Sequence, residues 1–266
     1  MEQEKDKLEQ LRDTIAQCDA AITEALKTRM ACIKEIIAYK REYGIPVLQP
    51  EQEKKQLDAV KHSTKDSVFR HEILHIFEGI IENSKRIQAK ELFEKNILLI
   101  GFMGAGKTTV SACLGNLLAM EVMEMDAYIQ KKEGMSIKDI FAVHGEEYFR
   151  NCESNTLISL QEKRHVVVSC GGGVPLREKN VALMKKSGYV VWLTATPEAI
   201  FDRVKDSTER PLLNGNMRVD FIRDLMESRR EKYEAAADIC IDTTEKDIVE
   251  ICEELLQKLS SLQNIK

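Results

Sequence analysis

The feature that most constrains this chain is the segment Gly101-Phe102-Met103-Gly104-Ala105-Gly106-Lys107-Thr108, which fits G-x-x-x-x-G-K-[ST] at every position. It directly follows the apolar run Asn96-Ile97-Leu98-Leu99-Ile100, the pattern of a strand buried on both faces. A helical stretch, Thr109 to Met120, comes after it. Strand, glycine loop and helix in that order let backbone N–H groups curl around phosphate oxygens, and the helix N-terminus adds partial positive charge. Gly104, Ala105, Gly106, Lys107, Thr108 and Thr109 are therefore the candidate contacts to ATP. The Lys107 ammonium is expected on the β- and γ-phosphates and the Thr108 hydroxyl on Mg²⁺.

The same grammar continues to the C-terminus. His165-Val166-Val167-Val168-Ser169, Tyr189-Val190-Val191-Trp192-Leu193 and the shorter Ile239 to Ile241 are further apolar runs separated by helical stretches. Alternating strands and helices predict a parallel sheet covered on both faces, so residues 95–266 read as an α/β phosphate-loop domain. The loop alone would suit a GTPase, a motor or a kinase. The segment is short for most motors and lacks a guanine-reading N-K-x-D, which favours a small-metabolite kinase.

Residues 1–92 follow different rules. Leu8, Leu11, Ile15, Cys18, Ile22, Leu26, Met30, Ile33 and Ile37 recur at steps of three and four, one stripe of an amphipathic helix. No Pro or Gly interrupts it before Tyr43-Gly44-Ile45-Pro46. Such a helix is roughly 55 Å long, more than a lone domain of that size can cover, so a second copy of the chain is expected to bury the stripe. A second helix is predicted from Pro50 to about Lys61 and a third from about Lys65 to Glu94, with Lys90 to Lys95 as the junction. This half is all-α, with three helices.

Composition excludes several classes. The 266 residues are 43% hydrophobic and 31% charged with a net charge of -5, which argues against nonspecific nucleic-acid binding and against an anionic membrane surface. The seven cysteines are scattered and never in C-x-x-C spacing, which fits reduced thiols and gives no zinc signature. A polar N-terminus, MEQEKDKLEQ, and the lack of any long apolar run predict a cytoplasmic protein without a membrane span.

From Asn96 onward the chain resembles the shikimate kinases. The resemblance rests on the phosphate loop, on Glu124-Met125-Asp126, and on Gly145-Glu146-Glu147-Tyr148-Phe149-Arg150-Asn151-Cys152-Glu153. It continues through Gly171-Gly172-Gly173, the lid motif Arg210-Pro211-Leu212-Leu213, and the run Arg229 to Ala237 through Tyr233. It implies that Asp126, Arg150, Gly172 and Arg229 bind shikimate, with Asp126 also a candidate acceptor of the attacking hydroxyl's proton. Lys107, Asp126 and Arg210 are then the catalytic set, Arg203 and Lys246 lie near the adenine, and Arg210 closes with a lid. Such roles suit a small hydroxylated carboxylate, which needs bidentate cations and closely approaching backbone. A surface ion pair between Arg150 and Glu153 is the plain alternative for those two residues. The family's first carboxylate is usually Asp, whereas this chain has Glu124, expected to reach the metal through water. Cys170 stands where a Thr or another small residue is common. A kinase for a different hydroxy acid on the same scaffold is a second reading.

The first ninety residues resemble the all-helical chorismate mutases, with Leu11-Arg12-Asp13 as the opening and Ile80 to Gln88 as the closest match. The resemblance implies a dimeric fold and a site for chorismate made by Arg12, Arg29, Lys40, Glu53, Ser84 and Gln88. Arg29, Lys40 and Gln88 are its catalytic members. Arg29 and Lys40, eleven residues apart, share a helix face, as do Ser84 and Gln88. Arg12 points roughly 100° away from Arg29 and is expected from the partner in a homodimer. Gln49 and Gln52 replace an Asp and an Arg of the family pattern, so a weak or inactive module kept for dimerisation or sensing stands beside an active mutase.

Overall fold

The computed structural model describes residues 2–43, 45, 50–205 and 218–264. It divides into two compact units, Met1–Glu91 and Leu92–Lys266.

The first unit is three helices, α1 (Glu2–Glu42), α2 (Pro50–Ser63) and α3 (Arg70–Leu92). The third helix begins later than its apolar pattern predicts. Ser67 accepts a hydrogen bond from the Phe69 N–H at 3.2 Å, and Thr64 Oγ1 bonds back to the Val60 carbonyl at 2.7 Å. Local side-chain bonds of this kind compete with helix formation and hold 64–69 as a turn. Ile33, Ile37, Ile81 and Ala89 are buried. Nearer the N-terminus the α1 stripe is bare: Leu11 is 54% exposed, Ile15 60% and Ile22 55%.

The second unit is a five-stranded sheet in the order β2-β3-β1-β4-β5, with every neighbouring pair parallel. Its strands are β1 (Asn96–Gly101), β2 (Glu121–Glu124), β3 (Val166–Ser169), β4 (Gly188–Thr194) and β5 (Ile239–Asp242). The helices around it are α4 (Lys107–Leu118), α5 (Met125–Glu133), α6 (Ile137–Leu160), α7 (Glu178–Ser187), α8 (Pro197–Val204), α9 (Val219–Ala236) and α10 (Ile248–Asn264). Ile97, Leu98, Leu99 and Ile100 are all fully buried, as expected of a central strand with helices on both faces.

A buried polar residue sets the register at the back of this sheet. Asn96 donates from Nδ2 to the carbonyls of Lys163 and Ser187 at 3.0 and 3.2 Å, and its Oδ1 accepts from Val166 N–H at 3.1 Å. One side chain thus ties β1 to the entries of β3 and β4. With that end pinned, the opposite, C-terminal ends of the strands carry the functional loops, where open α/β sheets bind ligands.

Candidate active sites

The phosphate loop leaves β1 through glycines that the geometry demands. Gly101, Gly104 and Gly106 have φ of 149°, 79° and 93°, in the region that L side chains avoid. A Cβ on Gly101 would also lie 2.4 Å from the Leu193 carbonyl oxygen. Lys107 folds over the loop and donates to the carbonyls of Gly101 and Phe102, both at 3.0 Å. Behind the loop, Arg203 on α8 donates to the Gly104 carbonyl at 3.2 Å and to Thr243 Oγ1 and the Thr243 carbonyl at 3.0 and 2.7 Å. Arg203 therefore braces the loop against the segment that follows β5. Lys246, farther along that segment, is paired with Glu254 of α10 at 2.7 Å.

Glu124 ends β2 directly below the helix that the loop enters. Its Oε2 accepts from Thr108 Oγ1 at 3.1 Å and its Oε1 from Ser111 Oγ at 2.6 Å. A hydroxyl and one carboxylate at the foot of a phosphate cradle suit a hard, oxygen-seeking cation that keeps most of its waters and draws its other ligands from phosphate. Among the described residues no group of three or more His, Cys, Asp or Glu side chains could hold a metal by itself.

Across the cleft, the triple glycine after β3 organises the carboxylates and arginines. A Cβ on Gly171 would lie 2.9 Å from Glu153 Oε1 and 3.0 Å from Asp126 Oδ1; one on Gly173 would strike the Arg150 guanidinium at 2.1 Å. Gly172, between them, is the roomy position, with Gly101 O at 3.6 Å and Tyr233 Oη at 3.8 Å from such a Cβ. The Tyr233 hydroxyl donates to the Gly172 carbonyl at 2.6 Å, and its ring stacks on Trp192 at 5.9 Å between centroids. Arg229, a turn earlier on α9, lies over the Phe102 ring at 5.7 Å, while Arg230 points outward and pairs with Glu227 and Glu234. The spacing to Tyr233 thus selects the arginine that faces the cleft.

Arg150 stands on α6 just after a break at Gly145, where φ is 83°. It donates to Glu146 at 2.9 Å and to Glu153 at 3.0 Å. The plain alternative of a surface ion pair is overturned on the Glu153 side, because Glu153 is fully buried. Burial pushes the Glu153 carboxyl up to about 7; Arg150 pulls it down and the nearby Asp126 charge pushes it further up. For Arg150, burial pulls the pKa down, but the charges and hydrogen bonds of the two glutamates more than offset this and hold it above its ordinary value. Arg210, with Pro211, Leu212 and Leu213, lies outside the described residues.

In the helical unit, Arg29 of α1 donates to Ser84 Oγ of α3, and Ser84 in turn donates to the Ile80 carbonyl at 2.8 Å. Ser84 is buried, and Gln88, one turn on, is half-buried. Burial lowers the pKa of both Arg29 and Lys40. Lys40 lines a shallow groove with Ile36, Tyr39 and Ile45. Glu53 of α2 is paired with Lys85 of α3 at 2.6 Å. Arg12 is exposed on the same unbroken helix as Arg29, about 25 Å away along the axis at the α-helical rise. Gln52 is exposed on α2, and Gln49 lies outside the described residues.

Sequence reasoning missed Ser111, Phe102, Thr243 and Lys85. Only Ser111 had a usable signal: it lies three residues after Thr108, one turn on the same helix face. The others reach their sites by tertiary contact.

Comparison with known proteins decides the family. The shikimate kinase family model matches residues 103–260. The chain belongs to the shikimate kinase family. Ahead of the kinase unit, residues 11–89 match the model for chorismate mutase type II. A shikimate kinase of Dehalococcoides mccartyi is 43% identical over 171 residues, covering 64% of this chain and 97% of that kinase. One from a Sulfurihydrogenibium species is 42% identical over 165 residues, covering 62% of this chain and 98% of that one. Among solved structures, the shikimate kinase from Acinetobacter baumannii in complex with shikimate superposes with a TM-score of 0.62 at 33% identity, covering 66% of this chain and 98% of that one. The Aquifex aeolicus shikimate kinase gives 0.54 at 37% identity, covering 64% and 98%. The kinase unit thus spans nearly the whole length of these shikimate kinases, and the helical unit lies ahead of the matched region.

Proposed function

We propose that this chain is a bifunctional enzyme of aromatic amino-acid biosynthesis, transferring the γ-phosphoryl group of MgATP to the 3-hydroxyl of shikimate and isomerising chorismate to prephenate. The observation that carries the kinase reading is the convergence, at one end of the sheet, of the phosphate loop, Asp126, Arg150, the open Gly172 and Arg229. ATP supplies the phosphoryl group and the metal its charge. Residues 104–109 would cradle the phosphates, with Lys107 turning from the loop carbonyls to the phosphates, while Thr108 and Glu124 would hold the metal and its waters. Asp126 would take the hydroxyl proton, and Arg150 and Arg229 would grip the substrate carboxylate. Arg203 and Lys246 would border the adenine, and Arg210 would exclude water when the lid closes.

The mutase reaction needs no covalent catalysis, only a compact conformer and charge on the breaking ether oxygen. Arg29, Lys40 and Gln88 would supply that charge and hydrogen bonding, with Glu53 and Ser84 on the remaining polar groups. Arg12 would enter from the partner of a homodimer, which the bare α1 stripe supports. No helix among the described residues is long and apolar enough to cross a membrane, and all seven cysteines are free thiols, which supports a cytoplasmic enzyme.

The deciding experiment follows chorismate absorbance and shikimate-dependent ADP release with the full-length protein beside an Arg29→Ala control. Chorismate turnover lost in the control, with ADP release kept, is expected. No turnover in the parent protein would leave a kinase with a helical dimerisation or sensor module.

A further inference from the structure

Glu124 is one methylene longer than the aspartate expected at its place, and a longer, freer carboxylate would ordinarily be a poorer metal partner. Ordering a glutamate costs more rotamer entropy than ordering an aspartate. The structure nevertheless holds both of its oxygens. Oε1 is 2.6 Å from Ser111 Oγ, a length typical of a hydroxyl donating to a charged oxygen, and Oε2 is 3.1 Å from Thr108 Oγ1. Ser111 is fully buried. Its hydroxyl also lies 2.9 Å from the Thr108 carbonyl, but it has one proton, and the nearer, charged acceptor is the stronger claimant. Thr108 and Ser111 are one turn apart on α4, so two hydroxyls from one helix face straddle one carboxylate.

We propose that Ser111 is a positioning residue for the nucleotide's divalent metal, clamping one oxygen of Glu124 so that the other is presented beside the Thr108 hydroxyl. The clamp fits the longer carboxylate to the site by ordering it before the metal arrives, and it acts through Glu124 without touching the metal. The inference rests on the reading that Thr108 and Glu124 hold the metal.

The test titrates Mn²⁺, followed by the electron paramagnetic resonance signal of the free ion, into the full-length protein saturated with ADP. Ser111→Ala is expected to weaken Mn²⁺ binding about tenfold, the lower end for loss of a partner behind a metal ligand. ADP affinity in EDTA should stay unchanged. Glu124→Asp, too short to span both hydroxyls, should also weaken Mn²⁺ binding, and adding Ser111→Ala to it should cost nothing further. Unchanged Mn²⁺ affinity in Ser111→Ala while Glu124→Gln weakens it would overturn the clamp alone. So would an equal loss of ADP affinity without metal, which is the mark of a helix-packing role, or additive losses in the double variant. If Glu124→Gln itself leaves Mn²⁺ binding unchanged, the metal reading fails and the clamp with it.

Discussion

Glu153 and Tyr233 shape the kinase cleft without being obvious ligands. Glu153 sits with its carboxyl pushed up to about 7, above the ordinary carboxylate range, chiefly by burial. A carboxyl whose folded pKa is raised contributes stability that is fully present below its unfolded pKa and is lost as pH rises through the folded value. The thermal midpoint of the parent minus that of Glu153→Gln should therefore fall steadily from about pH 4.5 to 7.5 and flatten above. A flat difference across that range would mean that Glu153 titrates as an ordinary carboxylate. Tyr233 acts through the Gly172 carbonyl, which its hydroxyl fixes at 2.6 Å. Tyr233→Phe keeps the ring on Trp192 and removes only that bond, worth about 1 kcal/mol, so KM for shikimate should rise about fivefold with KM for ATP unchanged. Equal changes in both KM values would point to a general loosening of the fold instead.

At the scale of elements, α1 carries the argument for assembly. Its first half exposes Leu8, Leu11, Ile15 and Ile22 on one stripe, whereas in its second half Ile33 and Ile37 are buried. A helix half bare and half covered is what a symmetric helical pair would leave in a single copy, and the same pairing would bring a partner's Arg12 toward Arg29. Ile15→Glu with Ile22→Glu would place two charges in that seam, each also forfeiting roughly 2 kcal/mol of apolar burial. Light scattering at micromolar protein should then report monomer, chorismate turnover should be lost, and kinase activity should persist. A monomeric parent protein would remove Arg12 from the site. The opposite case is α6, where the break at Gly145 redirects the helix before Arg150 and Glu153.

For the whole molecule, two chemistries reside in two compact units. The two reactions are not consecutive, so nothing in their chemistry calls for passing an intermediate between them. Lys107→Ala should reduce phosphoryl transfer at least 100-fold by removing a phosphate-stabilising charge, with chorismate turnover unchanged. Arg29→Ala should do the converse. Both variants assayed for both reactions give four rates, and a shared loss in either variant would show that the units are energetically coupled.

Much of this was legible in the sequence because the signals are local. The phosphate loop needs glycines at fixed spacing, a buried parallel strand needs a continuous apolar run, and a long amphipathic helix needs a 3.6-residue period; each is written within a few consecutive residues. Family likeness added the order of the kinase motifs and the candidate mutase residues. Tertiary structure alone decided the rest. It buried Glu153 beside Asp126 and laid Arg229 over the Phe102 ring. It also set Ser111 against Glu124, thirteen residues away. Those outcomes depend on desolvation and on side chains meeting from different elements, and neither is a property of any local stretch of chain.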